Sequence, residues 1–199
     1  MRWDLLFDDL ESQLDQEQRD EERALAIEEE RLRLGRLTLR DRLGAMARVA
    51  ADAPAATVRV ELRGGRQLEL RPLSFGRDWM SAAVRDPRRA DGQCIVPFTA
   101  IAAILPTRAQ LHPSLQPSPE SSTRLAERIG LPFVLRDLCR RRMPVHLTTD
   151  DGRLHGTLDR VARDHVDLAL HEPGSPRRDS EVRGYRIVPL ERIILVDFG

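Results

Sequence analysis

Four of the five histidines, His146, His155, His165 and His171, fall in the last third of the chain. Imidazole is the commonest protein ligand for metals and titrates nearest to neutral pH. A zinc site needs three or four such donors converging at about 2 Å from one point. Alternation of the surrounding residues puts His146 and His155 on the outward face of adjacent strands, with His165 and His171 outward on the next. Donors spread over an exposed sheet face do not converge, so the spacing predicts solvated histidines and neither a metal nor another cofactor. Asp150, Asp151 and Asp164 could form an acid–base set. Asp150-Asp151-Gly152, however, has the composition of a tight turn, where aspartate accepts hydrogen bonds from the backbone. Cys94 and Cys139 lack metal or redox spacing and read as reduced core thiols. No serine or cysteine has a nucleophile's frame, and no glycine-rich phosphate loop occurs. The sequence therefore predicts no enzyme and no small-molecule substrate.

The basic residues point elsewhere. Arg140-Arg141-Arg142 is the densest run and falls at an expected helix C-terminus, where cations complement the dipole. With Arg136 and Arg153 it could form a patch for RNA phosphates. Single-stranded nucleic acid also favours aromatic stacking platforms. Aromatics are only 4% of the chain, with Tyr185 the sole tyrosine and Trp79 expected in a core. The chain has neither lysine nor asparagine, so all 32 basic residues are arginine, as in the product of a GC-rich bacterial genome. They balance 32 acidic residues, but unevenly: Met1 to Arg36 holds 12 acidic and 6 basic residues, leaving an excess of six positive charges on the remainder.

That acidic segment carries Trp3, Phe7, Leu10 and Leu14 at helical spacing, widened by Leu6. It predicts a long helix, polar from Gln16 to Arg33 and ending at Gly35, whose apolar front could dock a partner or a second copy. No apolar run approaches the roughly 18 residues of a membrane span. A soluble, cytoplasmic protein without membrane contact is expected.

These residues need a scaffold, and the chain repeats one. Ile95-Val96-Pro97-Phe98-Thr99-Ala100-Ile101 returns as Ile187-Val188-Pro189-Leu190-Glu191-Arg192-Ile193, the prolines 92 positions apart (189 minus 97). Each phrase closes a series of short alternating strands. Val58, Val60 and Leu62 precede a Gly64-Gly65 turn and Leu68 and Leu70 return; Val145, Leu147 and Thr149 precede Asp151-Gly152, and Leu154, Gly156 and Leu158 return. Helices are expected from Thr38 to Val49, capped by Thr38 and Asp41, and from Val134 to Arg142 behind Pro132.

The stretch from Val145 through Gly152, Gly156, Asp164, Val166 and Leu168 resembles the first signature of Sm-like (LSm and Hfq) proteins. The first copy is similar but looser, retaining Gly65, Leu68, Leu70, Gly76 and Asp78. The RNA-holding second signature is missing, since Pro97-Phe98 and Pro189-Leu190 stand in its turn; that part looks more like a PRC-barrel or another SH3-like module. The opening Met1-Arg2-Trp3-Asp4 is similar to that of a family of high-GC Gram-positive bacteria, which implies no activity. The resemblance implies an α+β fold of two five-stranded Sm-like/SH3-like β-barrels, each preceded by a helix, packed together or joined strand to strand, plus the long N-terminal helix. The expected organisation is an acidic helix (1–36), a helix and barrel (37–105), a Pro/Ser linker (106–122) and a second helix and barrel (123–199). The expected role is protein interaction or self-association through Trp3, Leu6, Phe7, Leu10 and Leu14. The alternative is RNA binding by Arg136, Arg140, Arg141, Arg142 and Arg153.

Overall fold

The computed structural model describes the backbone of residues 2–51, 57–85, 92–116, 128–175 and 177–198, and side chains of the same set except 2–12 and 49–51. The chain divides into two units, Met1–Thr38 and Leu39–Gly199.

The first unit is helix α1, Arg2–Gly35, 34 residues long. No proline interrupts it, and ion pairs one turn apart line its polar stretch: Arg19 with Asp15, Arg23 with Asp20, Arg31 with Glu28 and Arg33 with Glu30. Solvent screens such exposed pairs, so each adds little to stability. The hydrogen bond from Arg33 holds the Glu30 carboxyl below its usual range.

The second unit is built on one sheet. Its strands are β1 (Val58–Leu62), β2 (Gln67–Phe75), β3 (Trp79–Val84), β4 (Gly92–Pro97), β5 (Ile101–Ile104), β6 (Pro144–Thr149), β7 (Gly152–Val161), β8 (His165–Leu170), β9 (Gly184–Pro189) and β10 (Ile193–Phe198). Their spatial order is β5-β1-β2-β3-β4-β10-β6-β7-β8-β9, with every neighbouring pair antiparallel. This corrects the two closed five-stranded barrels expected from sequence. Closing a half on itself would require its fourth strand to hydrogen-bond its own fifth. Instead β4 takes β10 of the other half, with Ile95 opposite Val196, Cys94 opposite Asp197 and Gln93 opposite Phe198. An open α+β sheet results, each half contributing five strands in the order 5-1-2-3-4.

Local chemistry explains the strands. Val58, Val60 and Leu62 are buried on one face of β1, opposite Leu70 and Leu68 of β2. Gly64 and Gly65 adopt φ of 84° and 79° in the connecting turn, a region that costs a side chain with a Cβ. The repeated proline phrase is a strand, one 3₁₀ turn and a strand. Pro97 leads into Phe98–Ala100 and β5, while Pro189 leads into Leu190–Arg192 and β10. Their φ angles of −62° and −59° are those a pyrrolidine ring enforces.

Helix α2, Leu39–Ala51, buries Leu43 and Met46 in the core of the first half. Residues 108–115 form helix α3 (Arg108–Leu111) and a 3₁₀ turn, with Gln110 and Ser114 buried. Gln110 donates to the Thr57 carbonyl at 2.9 Å. The rest of the expected Pro/Ser linker, from 117 to 122, lies outside the described residues, as does most of the helical turn expected at 124–129. Helix α4, Leu131–Arg140, has a proline in its first turn and buries Leu131, Leu135 and Leu138 in the second core. Its first turn is held by the other half: Asp78 accepts from the Leu131 N–H at 2.8 Å, and the Arg77 N–H and Trp79 Nε1 both donate to the Ile129 carbonyl. Trp79 itself belongs to the second core.

Candidate functional site

One histidine departs from the placement that alternation predicted, and two of the others stack. His146 and His155 are cross-strand partners on β6 and β7, with ring centroids 4.3 Å apart, and His171 meets His155 edge-on at 5.1 Å. His171 is buried rather than outward, because it follows β8 and turns Nε2 onto Thr157 Oγ1, 2.9 Å away. Both ring nitrogens of His155 are buried without a hydrogen bond among the described residues. Desolvation, and then the neighbouring His146 and His171, push its pKa down. His165 stands apart, bonded to Asp164 at 2.7 Å. Stacked rings are not a ligand set. Among the described residues no group of three or more His, Cys, Asp or Glu is arranged to hold a metal ion.

The three aspartates weighed as acid–base groups serve ion pairs or a hydrogen bond. Asp150 approaches Arg63 and Arg192, Asp151 bonds Arg192 at 2.8 Å, and Asp164 serves His165. Cys94 is buried and its thiol is pushed up to about 12, chiefly by desolvation; Cys139 is half-buried and shifted the same way. Neither supplies a thiolate at neutral pH.

The candidate RNA-binding arginines are already engaged. Arg136 donates to the Val161 and Ala162 carbonyls, Arg140 and Arg141 both pair with Asp137, Arg142 with Asp159, and Arg153 with Asp197 at 3.0 Å. Arg177 grips Asp159 through two nitrogens and keeps that carboxyl low. Of the expected docking stripe, the side chains of Trp3, Leu6, Phe7 and Leu10 lie outside the described residues; Leu14 is 66% exposed. Leu25 and Leu32, which the sequence reading passed over, are exposed as well. At 100° per residue, Leu14, Leu25 and Leu32 fall within about 20° of one line along α1.

The arrangement with most to offer a partner is the sheet's own repeat. At the inner joint Ile95 is 1% exposed and belongs to the core of the second half. In return, Ile194 and Leu195 of β10 enter the core of the first half. Arg63 reinforces the seam by donating to the Glu191 carbonyl at 2.7 Å. The repeat offset maps Ile95 onto Ile187 of β9. There, with no strand on the outer side of β9 among the described residues, Ile187 is 72% exposed and Tyr185 is exposed beside it. A hollow of about 350 Å³ adjoins Ile187, lined by Thr149, Leu154, Val188, Asp151, Arg153 and Arg186 among others. A signal for this site was present in the sequence: the repeated phrase itself, read as an edge rather than as a fold marker.

Fold and site together define an open antiparallel sheet protein with an internal strand-to-strand joint and a second copy of half that joint, on which no further strand lies among the described residues. Comparison with protein-family models, with curated proteins and with solved structures finds no match. Among the described residues no helix is long and apolar enough to cross a membrane.

Proposed function

We propose that the chain is a non-enzymatic protein-interaction or assembly module, docking through the outer edge of β9. The observation that supports this reading is the contrast between Ile95, sealed by a strand, and its repeat counterpart Ile187, which is open to solvent. An exposed sheet edge offers a ready row of backbone donors and acceptors, and adding a strand to it is a common mode of protein recognition. Leu14, Leu25 and Leu32, exposed along one line of α1, offer a second surface. RNA binding is the second reading: Arg140, Arg141 and Arg142 are exposed and pair only at the surface with Asp137 and Asp159, but aromatic residues on which bases could stack are only 4% of the chain.

The test compares wild-type protein with Ile187→Asp and Leu14→Asp. Light-scattering mass and the proteins retained on affinity purification are read together, after thermal melts establish that each variant is folded. Ile187→Asp is expected to lose a stoichiometric partner or a higher mass at unchanged melting temperature. Identical mass and identical retained proteins for wild type and both variants would remove this function.

A further inference from the structure

We infer that the occupant of the β9 edge is an extended strand of a different protein, bearing two adjacent bulky aliphatic residues followed by an acidic one. It is not the β5 edge of a second copy. The inference rests on the docking role proposed for β9 and adds the chemistry of what docks.

The inner joint is the template. Strand β10 lies on β4 and sends two successive side chains, Ile194 and Leu195, into the core of the first half, where Leu62, Leu68 and Val96 also sit. The register supplies the counterparts of those three in the second half. Val60 pairs with Leu68 as Leu147 pairs with Leu154, Thr149 ends β6 as Leu62 ends β1, and Val188 repeats Val96. Thr149, Leu154 and Val188 all line the 350 Å³ hollow beside β9. The counterparts of three residues that share a core with Ile194 and Leu195 thus line the hollow, together with the charged Asp151, Arg153, Arg186 and Arg192.

The backbone is oriented to receive a strand. The Leu190 N–H donates to the Asp164 carbonyl on the β8 side. In an antiparallel ladder the direction alternates, so Val188 and Arg186 face β8 while Ile187 and Tyr185 present their backbone groups outward. A strand laid on β9 as β10 lies on β4 would set its counterparts of Val196, Asp197 and Phe198 against Ile187, Arg186 and Tyr185. Here the two joints differ in charge. Cys94 faces Asp197 at the inner joint, whereas Arg186 takes that place at the edge. Arg186 is exposed on β9, whereas the other charges lining the hollow are paired: Arg153 with Asp197, and Arg192 with Asp151. An acidic residue on the incoming strand would have a guanidinium opposite it.

The chain's own free strand fits poorly. By the same offset, β5 would offer Ala102 and Ala103 where β10 has Ile194 and Leu195, too little to fill the hollow. It would set Leu105, not an acid, against Arg186. Because the Leu105 N–H donates to the Arg59 carbonyl on β1, the next residue faces outward. That residue is Pro106, which has no N–H to give.

The probe is a labelled peptide spanning Leu190 to Phe198 of this chain, titrated with the full-length protein and read by fluorescence anisotropy. A peptide spanning Phe98 to Pro106 is the comparison. The β10 peptide is expected to bind saturably, at least tenfold more tightly than the β5 peptide. Ile187→Asp and Arg186→Glu should each weaken it tenfold or more while the protein's melting temperature stays put. Changing the peptide's Asp197 to Arg should recover part of the loss in the Arg186→Glu protein. No saturable binding, or equal binding to the Ile187→Asp protein, overturns the inference while leaving the affinity-purification test of function to stand by itself. Tighter binding of the β5 peptide, or a light-scattering mass of the full-length protein that is a dimer or more and falls to the monomer with Ile187→Asp, overturns it in favour of a second copy.

Discussion

At the inner joint, the fourth strand of one half and the fifth strand of the other bury each other: Ile95 joins the second core, and Ile194 and Leu195 join the first. At the outer edge the same phrase, Ile187-Val188-Pro189, has a filled side facing β8 and an open side facing solvent. Equivalent residues thus have opposite environments within one chain. A sequence repeat here marks a surface that pairs as well as a unit that folds. Burial at such positions is decided by the neighbour, and only the inner copy has one among the described residues.

The largest expected effect breaks the inner joint. Leu195 is fully buried in the core of the half to which its strand does not belong. Leu195→Ala should cost about 2–5 kcal/mol, the range for removing a buried leucine side chain and leaving a cavity. Since each half supplies side chains to the other's core, chemical denaturation should remain a single transition, shifted to lower denaturant. Ile187→Ala, at the mapped edge position, should cost less than about 0.5 kcal/mol. A Leu195→Ala protein that unfolds in two separated steps would show that the halves are independent.

A second substitution sharpens the comparison inside the sheet. Pairing places Leu70 opposite Val58 in the first half and Gly156 opposite Val145 in the second. A Cβ on Gly156 would come within 2.1 Å of the Ala169 carbonyl oxygen, on the backbone of β8. Backbone there cannot swing aside as a side chain would, so Gly156→Ala should destabilise by about 1–3 kcal/mol, read as a fall in melting temperature. An unchanged melting temperature would mean that β7 and β8 separate easily at this point, and that the second half is the softer of the two.

Sequence reasoning reached the strands and turns because their signals are local. Val58, Val60 and Leu62 alternate, Gly64-Gly65 demands positive φ, and Pro97 and Pro189 set the same φ ahead of the same 3₁₀ turn. Barrel closure failed because the choice between β5 and β10 as partner of β4 is non-local: Ile95 carries the same side chain whichever strand covers it. His171 was misplaced for a related reason. Alternation set His146 and His155 on one face correctly as neighbours, but could not show that the chain after β8 folds His171 back against them. Arginine clustering was legible, but the carboxylates beside it were not: Asp137, Asp159 and Asp197, distant or unremarkable in sequence, each pair with one or two of those arginines. The β9 hollow depended on both kinds of information, the repeat from sequence and the missing neighbour from structure.

The smallest expected effect concerns pH, and it again separates the halves, since the first half has no counterpart of the histidine stack among its described residues. His155 packs between His146 of β6 and His171 beyond β8, with Arg153 and Glu172 as the other charges that act on it. Burial is the first cause of its lowered pKa, followed by the two imidazoles and Arg153, with Glu172 opposing them. The folded state therefore resists a proton that the unfolded chain accepts at about pH 6.5. Linkage fixes the sign: the full stability is present above that value and declines as pH falls toward the folded pKa. His155→Gln removes the titrating group, so the difference in unfolding free energy between wild type and variant should depend on pH between about 7.5 and 5 and be flat above. Carboxylates elsewhere titrate in both proteins and cancel in that difference. A difference that stays constant across the whole range would mean the buried imidazole accepts its proton as readily folded as unfolded, through a rearrangement of the stack that lets water reach it.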